Sequence, residues 1–427
     1  MSFAIICSVL VLLNISRFQE IVPGLGALHL DLVMAPVAMG LALLSRRLNG
    51  SNLAGLKESK LVLALLLAAA LSIPFSVWPG GAIHYFLHAI IPAAIFYFCC
   101  VSLSGERELN LLSWSAVVSM GVLVAGAMVF SMYDAENRLH TTNAYDPNDL
   151  AMIMVSILPL ALAHLINGRV FAKIFASCVI FSGLVVLVRT GSRGGFIAFL
   201  AVLLIMLFRR SEWFGKKKKL LLVASLAAII LFQNTGILRQ RFDTLFNGQD
   251  YNLAGSDQDG RLVVWKRGLS IMLGHPFLGE GVGIIGTAMG DRYGHAAWHT
   301  AHNSFLQIGG ELGIPGLLIY IFMLVFIRRN CRYAAAVLRC SEDSRRLAAI
   351  AEFAGLSLSG YLVGGFFISQ AYSPVPIFLL ALSTGLARVA REKAAAGPVA
   401  PEAFDLGTID AGYEIPGGAK VAGREME

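Results

Sequence analysis

Apolar runs of about twenty residues dominate this chain of 427 residues and restrict what it can fold into. A helix of about twenty residues crosses the ~30 Å hydrocarbon core of a bilayer, and its backbone groups are satisfied within the helix. The chain is 56% hydrophobic and only 14% charged, a balance that leaves little polar surface for a water-soluble domain. The sequence therefore predicts an all-α, polytopic membrane protein.

Charged residues and helix breakers divide the apolar runs into about twelve predicted transmembrane helices. These cover residues 3–16, 26–45, 60–78, 81–103, 111–132, 148–167, 171–189, 194–209, 219–236, 303–327, 347–369 and 374–391. The first run follows an N-terminus without Lys or Arg and has no small-residue cleavage site, so we interpret it as a retained helix. The predicted membrane domain is 1–393. The tail 394–427, rich in Ala, Gly, Pro and acidic residues, is predicted to be disordered in the cytoplasm.

The distribution of Lys and Arg predicts the orientation of the chain. With a cytoplasmic N-terminus, 24 of the 34 basic residues fall in cytoplasmic loops or in the tail, as the positive-inside rule requires. Both termini are then cytoplasmic, and the longest loop, about 237–302, lies outside. The net charge of +7 is explained by this orientation signal, and no nucleic-acid partner is expected.

The long outer loop is predicted to be functional, because loops of this length without structure of their own are uncommon. Residues 262–273 predict a short helix whose apolar positions are spaced to lie on a membrane surface. The basic residues left outside the membrane are Arg17, Arg138, Arg189, Arg193, Arg239, Arg241, Arg261, Lys266, Arg267 and Arg292. Outer cations break the orientation rule, so each is an exception that requires an explanation.

His302 stands where the outer loop meets the tenth predicted span. An ionisable residue at the mouth of a membrane helix is a functional candidate, and histidine is the side chain best suited to act as a base near neutral pH. Asn303, Ser304 and Gln307 can supply hydrogen bonds around it. The alternatives are that His302 only caps the helix, and that His299 is the functional histidine. Residues that can support the site include Glu311, about two turns further along, which pairs with a buried cation or hydrogen-bonds a neighbour.

Two arginines outside the membrane are candidates for binding an anion. Arg193 lies among small residues between two spans, and Arg261 opens the predicted helix 262–273, followed by Trp265, Lys266 and Arg267. Guanidinium groups bind phosphates through two parallel hydrogen bonds and keep their charge at every relevant pH. The alternative for Arg193 is a snorkelling anchor, and the alternative for Trp265 is that it only anchors its helix at the lipid headgroups.

The sequence predicts neither a metal site nor a disulfide. Asp257 and Asp259 resemble a paired-acid metal site, but two acids in a polar loop are common. His84 and His88 are one helical turn apart without a visible third ligand. The six cysteines show no zinc-like spacing and lie in apolar runs or in a basic loop; they are Cys7, Cys99, Cys100, Cys178, Cys331 and Cys340.

The start of the sixth span has a local explanation. Asp146 or Asn148 can cap this helix, and Pro147 suits its first turn.

Taken together, these residues resemble the O-antigen ligase and polymerase superfamily. The family pattern is a His followed by Asn, Ser or Gln, then nine residues, Gly, two residues and a final Gly, Thr or Tyr. His302, Asn303, Gly313 and Gly316 match it. Further matches are Arg193 in Thr-Gly-Ser-Arg-Gly-Gly, Arg261 in Gly-Arg-Leu-Val-Val-Trp, and the helix opening Asp146-Pro-Asn-Asp-Leu-Ala151.

The resemblance implies a GT-C-like glycosyltransferase in the bacterial inner membrane, with its active site facing the periplasm and no cofactor or metal. It implies that His302 orients or deprotonates an acceptor sugar hydroxyl, while Arg193 and Arg261 hold the diphosphate of an undecaprenyl-diphosphate-linked glycan. Attack at the anomeric carbon would invert it. The supporting candidates are Asn303, Asn148, Glu311, Lys266 and Arg267.

Three functions remain open on the sequence. A ligase passes a glycan to lipid A–core or a similar acceptor, whereas a polymerase joins repeat units of O-antigen or exopolysaccharide. Length and the single long outer loop favour the ligase. A transporter of lipid-linked glycans is a more distant alternative, because the spans carry few charges at mid-depth and show no repeated halves.

Overall fold

In the computed structural model, the described residues are 3–22, 24–28, 56–102, 105–130, 132–134, 137–141, 145–209, 260–294 and 300–396, with single positions between 30 and 40 and at 213 and 215. Helices account for most of this part of the chain. Its strands are two short antiparallel segments, β1 (Met132–Tyr133) and β2 (Leu139–His140), which pair with each other. The prediction of an all-α protein is therefore confirmed.

Thirteen α-helices are found in the described part of the chain. They are α1 (Phe3–Ser16), α2 (Phe18–Ile21), α3 (Lys57–Ser72), α4 (Pro79–Ser102), α5 (Glu106–Phe130), α6 (Pro147–Asn167), α7 (Val170–Arg189), α8 (Arg193–Phe208), α9 (Arg261–Gly274), α10 (Ile285–Tyr293), α11 (Ser304–Leu338), α12 (Arg345–Gly365) and α13 (Pro374–Ala396). Short 3-10 segments add Gly26–Leu28, Ile73–Phe75 and Glu342–Ser344.

Eight of these helices are long and apolar enough to cross a membrane, namely α3 to α7 and α11 to α13. Two shorter apolar helices, α1 and α8, coincide with two further predicted spans. The predicted polytopic membrane architecture is therefore confirmed. The remaining two predicted spans, 26–45 and 219–236, lie largely or wholly outside the described residues.

The centre of the bundle is formed by α6 and α12. Every residue of α6 from Asp149 to His164 is buried, as expected for a helix that is apolar on all sides. Two glycines of α12 allow the helices to approach closely. A Cβ at Gly360 would lie 3.0 Å from Val155, and one at Gly364 would lie 2.8 Å from Met152. Small residues at such contacts favour helix association in membranes, where apolar surface alone gives little driving force.

Helix α11 differs from the predicted span 303–327 in two ways. It continues to Leu338, so that Arg328, Arg329 and Arg332 lie in the helix and not in a loop. Arginine is a good helix former, so a helix continues beyond the apolar run that hydropathy detects. The second difference is a break at Gly313, whose φ of 70° and ψ of −172° are not helical.

The break at Gly313 is matched by hydrogen bonds from the outer loop. Ile314 donates its backbone N–H to the Pro276 carbonyl at 2.7 Å. The carbonyls of Gly310 and Glu311 accept from the backbone of Glu280 and Gly281 at 2.9 and 3.1 Å. At the break, some backbone groups of α11 have no helical partner, and the loop provides their hydrogen bonds. Buried backbone groups require such partners. Gly309, Gly310 and Gly313 lie close to residues of α9, of α10 and of the loop between these two helices.

Replacing Gly313 with alanine should destabilise the protein strongly. Only glycine adopts this backbone region readily, and a residue forced into it costs about 1–3 kcal/mol. An added Cβ would also lie 2.6 Å from the Pro276 carbonyl oxygen and 2.7 Å from the Phe277 carbonyl carbon. We expect a clearly lower midpoint of thermal unfolding for Gly313→Ala in detergent. Gly355→Ala is the control, since its Cβ would meet nothing closer than 3.6 Å; equal midpoints for the two variants would contradict the expectation.

The described part of the long outer loop contains two short helices, α9 and α10. Helix α9 confirms the helix predicted at 262–273. It buries Val264, Gly268 and Ile271, while Leu269 and Leu273 on another face are exposed. Residues 237–259 of this loop lie outside the described part. At the other end of the chain, α13 continues to Ala396, so residues 394–396 of the predicted tail are helical and the remainder of the tail lies outside the described residues.

Candidate active site

A cleft of about 850 Å³ opens at the end of the bundle where α4, α6 and α11 begin. The loop 366–373, between α12 and α13, forms another part of its wall. The polar and ionisable residues that line the cleft are Asn14, Arg17, Gln19, Glu20, His84, His88, Asp146, Asp149, Thr287, Thr300, His302, Gln307, Glu311, Ser369, Gln370 and Ser373, with three tyrosines, Tyr85, Tyr145 and Tyr372. His302 and Glu311 thus share one cleft, whereas Arg193 and Arg261 are not among the residues that line it.

His302 reaches the cleft from a left-handed backbone conformation. Its φ of 46° is uncommon for a residue with a side chain, and such outliers are concentrated at functional sites. The Nδ1 atom lies 3.5 Å from the Thr300 hydroxyl. His302 does not cap α11, because the N-cap is Asn303, whose Oδ1 accepts from the backbone of Phe305 and Leu306 at 2.9 and 3.0 Å. The capping alternative for His302 is therefore wrong.

The polar residues that follow His302 bind the loop 366–373. Asn303 donates its Nδ2 to the Phe366 carbonyl at 3.1 Å, and the Ser304 hydroxyl donates to the Ile368 carbonyl at 2.7 Å. Gln307 accepts the backbone N–H of Ala371 at 3.2 Å. The sequence suggested that these residues would hydrogen-bond the histidine. The structure shows instead that they fix the loop against the start of α11, which holds His302 in place indirectly.

Arg193 begins α8 and lies in a tightly packed turn. Ser192 caps the helix by accepting the Gly195 N–H at 3.1 Å, and its hydroxyl donates to Asn148 Oδ1 at 2.8 Å. A Cβ at Gly194 would lie 2.9 Å from Phe367. Asn148, a predicted supporting residue, is thus positioned to hold the turn that carries Arg193.

Arg261 begins α9, and the helix is held beside His302 by Trp265. The indole Nε1 of Trp265 donates to the His302 carbonyl at 3.4 Å. The indole ring also packs edge-on against Phe366, with ring centroids 5.3 Å apart, and lies 6.5 Å from the Phe367 ring. Phe367 therefore lies against both the turn that carries Arg193 and Trp265 of the helix that carries Arg261, next to the backbone of His302.

The two supporting cations of α9 lie apart from this arrangement. Lys266 is exposed, and the Arg267 guanidinium lies over the Tyr293 ring at 5.2 Å from its centroid. Lys266 and Arg267 follow Arg261 by five and six residues, so they point away from the face of α9 that carries Arg261.

Glu311 is buried and holds the glycine-rich turn that precedes α10. Its Oε2 accepts the Gly283 N–H at 2.9 Å, and its Oε1 accepts the Ile285 N–H at 3.5 Å. The nearby Tyr372 is partly buried, and desolvation of its hydroxyl, together with the Glu311 charge, raises the pKa of this hydroxyl well above the usual value. Of the two alternatives for Glu311, a buried cation or a hydrogen bond to a neighbour, the structure shows the second, because backbone N–H groups are its partners.

Replacing Glu311 with glutamine should loosen this turn. The amide keeps one acceptor oxygen but turns an NH₂ group towards a backbone donor, and a buried polar group left unsatisfied costs about 1–3 kcal/mol. We expect Glu311→Gln to lower the thermal midpoint and to increase proteolysis at 279–285. Glu342→Gln is the matched control, because the Glu342 side chain is 88% exposed. Unchanged protection of the turn in Glu311→Gln would contradict this role.

Comparison with known protein families identifies the region that carries these residues. Residues 176–321 match the family model of the O-antigen ligase, and this stretch contains Arg193, Arg261 and His302. The match supports a relationship of this part of the chain to the O-antigen ligase superfamily. No curated protein matches the chain. The match supports a ligase-like or polymerase-like glycosyltransferase of the membrane, a class of enzymes that act on lipid-linked glycans.

Several cleft residues lie outside the matched O-antigen ligase region and were not predicted from the sequence as site residues. The Arg17 guanidinium pairs with Glu20 at 2.9 Å and lies over the Tyr145 ring at 5.6 Å. Burial raises the pKa of Tyr145 to about 12, and its hydroxyl donates to the Ile15 carbonyl at 3.1 Å. The one sequence signal for these residues was the positive-inside rule, which placed Arg17 outside the membrane.

Of the remaining candidates, some are confirmed by the structure and others lie outside the described residues. Asp146 caps α6 in a capping box with Asp149, and Pro147 occupies the first turn, as predicted. Among the described residues no group of three potential metal ligands occurs. His299, Asp257 and Asp259 lie outside the described part of the chain.

Proposed function

We propose that this protein transfers a glycan from undecaprenyl diphosphate to a sugar hydroxyl of an acceptor, lipid A–core or a similar glycan. Transfer takes place at the periplasmic face of the bacterial inner membrane, with both termini in the cytoplasm. The observation that supports this most directly is that Phe367 lies against both the Arg193 turn and Trp265 of the Arg261 helix, while the Trp265 indole donates to the His302 carbonyl. This brings two permanent cations and one titratable base to one end of the bundle.

In the proposed reaction, an acceptor hydroxyl oxygen attacks the anomeric carbon of the donor sugar from the face opposite the diphosphate. The carbon–oxygen bond to the diphosphate breaks as the new glycosidic bond forms, so the configuration inverts. His302 accepts the hydroxyl proton or orients the hydroxyl. Arg193 and Arg261 take up the negative charge that develops on the departing lipid diphosphate, which is the electrostatic task that a metal ion fulfils in many other transferases. The reaction is therefore proposed to be independent of metal.

The test is the fate of a radiolabelled undecaprenyl-diphosphate glycan mixed with purified protein in EDTA. One reaction contains lipid A–core, and a second contains only more donor. Label on lipid A–core supports the ligase. A ladder of longer lipid-linked chains supports the polymerase, the second candidate, which shares the same site residues. Loss of all transfer in EDTA, restored by a divalent cation, would contradict the metal-independent mechanism.

A further inference from the structure

One wall of the cleft has no role in the proposed chemistry. It consists of Trp78, His84, Tyr85 and His88, from the start of α4 and the residue before it, and we refer to these four residues as the aromatic–histidine wall. Trp78 and Tyr85 are 52% and 47% exposed, although they belong to a membrane protein with an extensive core. The two imidazole rings lie edge to face with centroids 4.6 Å apart. Large amphipathic rings facing a polar cleft are available to a ligand.

The aromatic–histidine wall is fixed close to the helix that begins after His302. Gly283 packs against Tyr85 so closely that a Cβ there would lie 2.2 Å from the ring. The same glycine donates its N–H to Glu311 of α11. On the other side, Val282 donates its N–H to the Ser72 hydroxyl at 3.1 Å at the end of α3. The wall therefore has a defined position across the cleft from α11, held by one turn that contacts both.

The charges of the cleft disfavour an anionic ligand at this wall. Among the described lining residues, the carboxyl groups belong to Glu20, Asp146, Asp149 and Glu311, whereas the arginine is Arg17, which already pairs with Glu20. Close like charges repel, and a site lined mainly by carboxyl groups is a poor match for a diphosphate. The cleft is better suited to a neutral ligand that is rich in hydroxyl groups.

The residue types at this wall fit a sugar ring. A pyranose has an apolar C–H face that packs on an aromatic ring, while its hydroxyl groups hydrogen-bond carboxylates, imidazoles and amides at its edge. Trp78 and Tyr85 supply rings, and His84, His88 and the carboxyl groups opposite supply polar partners. These groups are arranged around a cleft large enough for several sugar units, since ligand pockets commonly occupy about 300–1,000 Å³.

We infer that the aromatic–histidine wall binds the acceptor glycan and selects which acceptor is used. This inference rests on the proposed function, because it assigns a substrate to the same cleft. The wall lies outside residues 176–321, which match the O-antigen ligase model and contain the diphosphate-binding candidates. Acceptor choice and donor diphosphate binding are therefore encoded in separate parts of the chain.

The test compares the concentration dependence of the two substrates in Trp78→Ala, His84→Ala and the double variant. With lipid A–core as the varied substrate, or with donor as its own acceptor if the protein is a polymerase, we expect KM for the acceptor to rise about tenfold or more. The reaction rate at saturating acceptor and the KM for donor diphosphate should change little. Leu87→Ala is the control, since Leu87 is 56% exposed on the same helix and is not part of the cleft lining. An unchanged acceptor KM in the double variant, or an equal rise in donor KM, would overturn the inference.

A binding measurement separates this inference from the proposed transfer activity. Ligand-observed NMR on the purified full chain uses oligosaccharides released by mild acid from lipid A–core and from the donor, with inorganic pyrophosphate as a second probe. We expect wild type to bind one of the oligosaccharides and the double variant to lose this signal while keeping the pyrophosphate signal. If wild type transfers no glycan but shows this pattern, the transfer proposal fails and the sugar site stands. If wild type binds neither oligosaccharide, the sugar site is wrong.

Discussion

Replacement of His302 with alanine is expected to abolish glycan transfer while leaving donor binding intact. A positioned general base contributes about 10²- to 10⁴-fold to rate, so the initial rate of transfer should fall at least into this range. The measurement is the initial rate of label transfer from the lipid-linked donor to the acceptor at saturating concentrations of both.

The backbone at His302 requires a second variant for a clear result. Its φ of 46° is more easily adopted by asparagine than by alanine, so His302→Asn removes the base and retains the turn. Both variants should be inactive, and His302→Asn should keep the thermal midpoint of wild type. The control is His275→Ala, a change at a histidine of the same outer loop that is 46% exposed and outside the cleft lining. Full activity of His302→Asn would show that His302 has only a structural role.

Replacement of either Arg193 or Arg261 with lysine is expected to lower transfer by about 10²-fold, although the charge is retained. A guanidinium binds two phosphate oxygens at once, whereas an ammonium group binds as a point charge. Alanine variants should lose more, and the combined variant should lose less than the product of the single effects if both arginines act on one diphosphate. The rate constant at saturating donor should fall, because the charge that they stabilise develops as the diphosphate leaves.

The matched control for the arginine variants is Arg138→Lys. Arg138 is also predicted to lie outside the membrane, but it pairs with Asp134 at 2.7 Å and is not part of the cleft lining. Its replacement should leave transfer within about twofold of wild type, since lysine keeps the positive charge beside Asp134 and the pair does not line the cleft. If Arg193→Lys and Arg261→Lys behave like this control, the two arginines are membrane anchors and another group must hold the diphosphate.

The glycines around α11 show how far a sequence motif can be interpreted without tertiary structure. Gly313 and Gly316 were recognised as part of a family pattern, and small residues predict close approach. What Gly313 does, however, depends on Pro276, almost forty residues earlier, whose carbonyl accepts the Ile314 N–H. No local pattern indicates that a loop will complete the hydrogen bonds of a broken membrane helix.

The polar residues after His302 also make contacts that the local sequence did not predict. Asn303 was a candidate partner of the histidine because the two are adjacent, but an N-cap side chain is directed at the first turn of its own helix. Its remaining donor binds the Phe366 carbonyl, 63 residues away. Proximity in the sequence therefore placed Asn303 correctly beside His302 but predicted the wrong hydrogen-bond partner for it.

The sequence by itself determined the helical membrane architecture and the places where Arg193, Arg261 and His302 occur. Both follow from local rules. A span in lipid satisfies its own backbone groups, and outer loops are recognised because they contain few Lys and Arg residues. The tertiary structure decided which of the outer residues meet. It places Arg17, Tyr145 and the aromatic–histidine wall in the cleft with His302, and it brings the Arg193 turn and the Arg261 helix together at Phe367. These contacts join residues far apart in the chain, and they depend on how the helices pack, which no local pattern records.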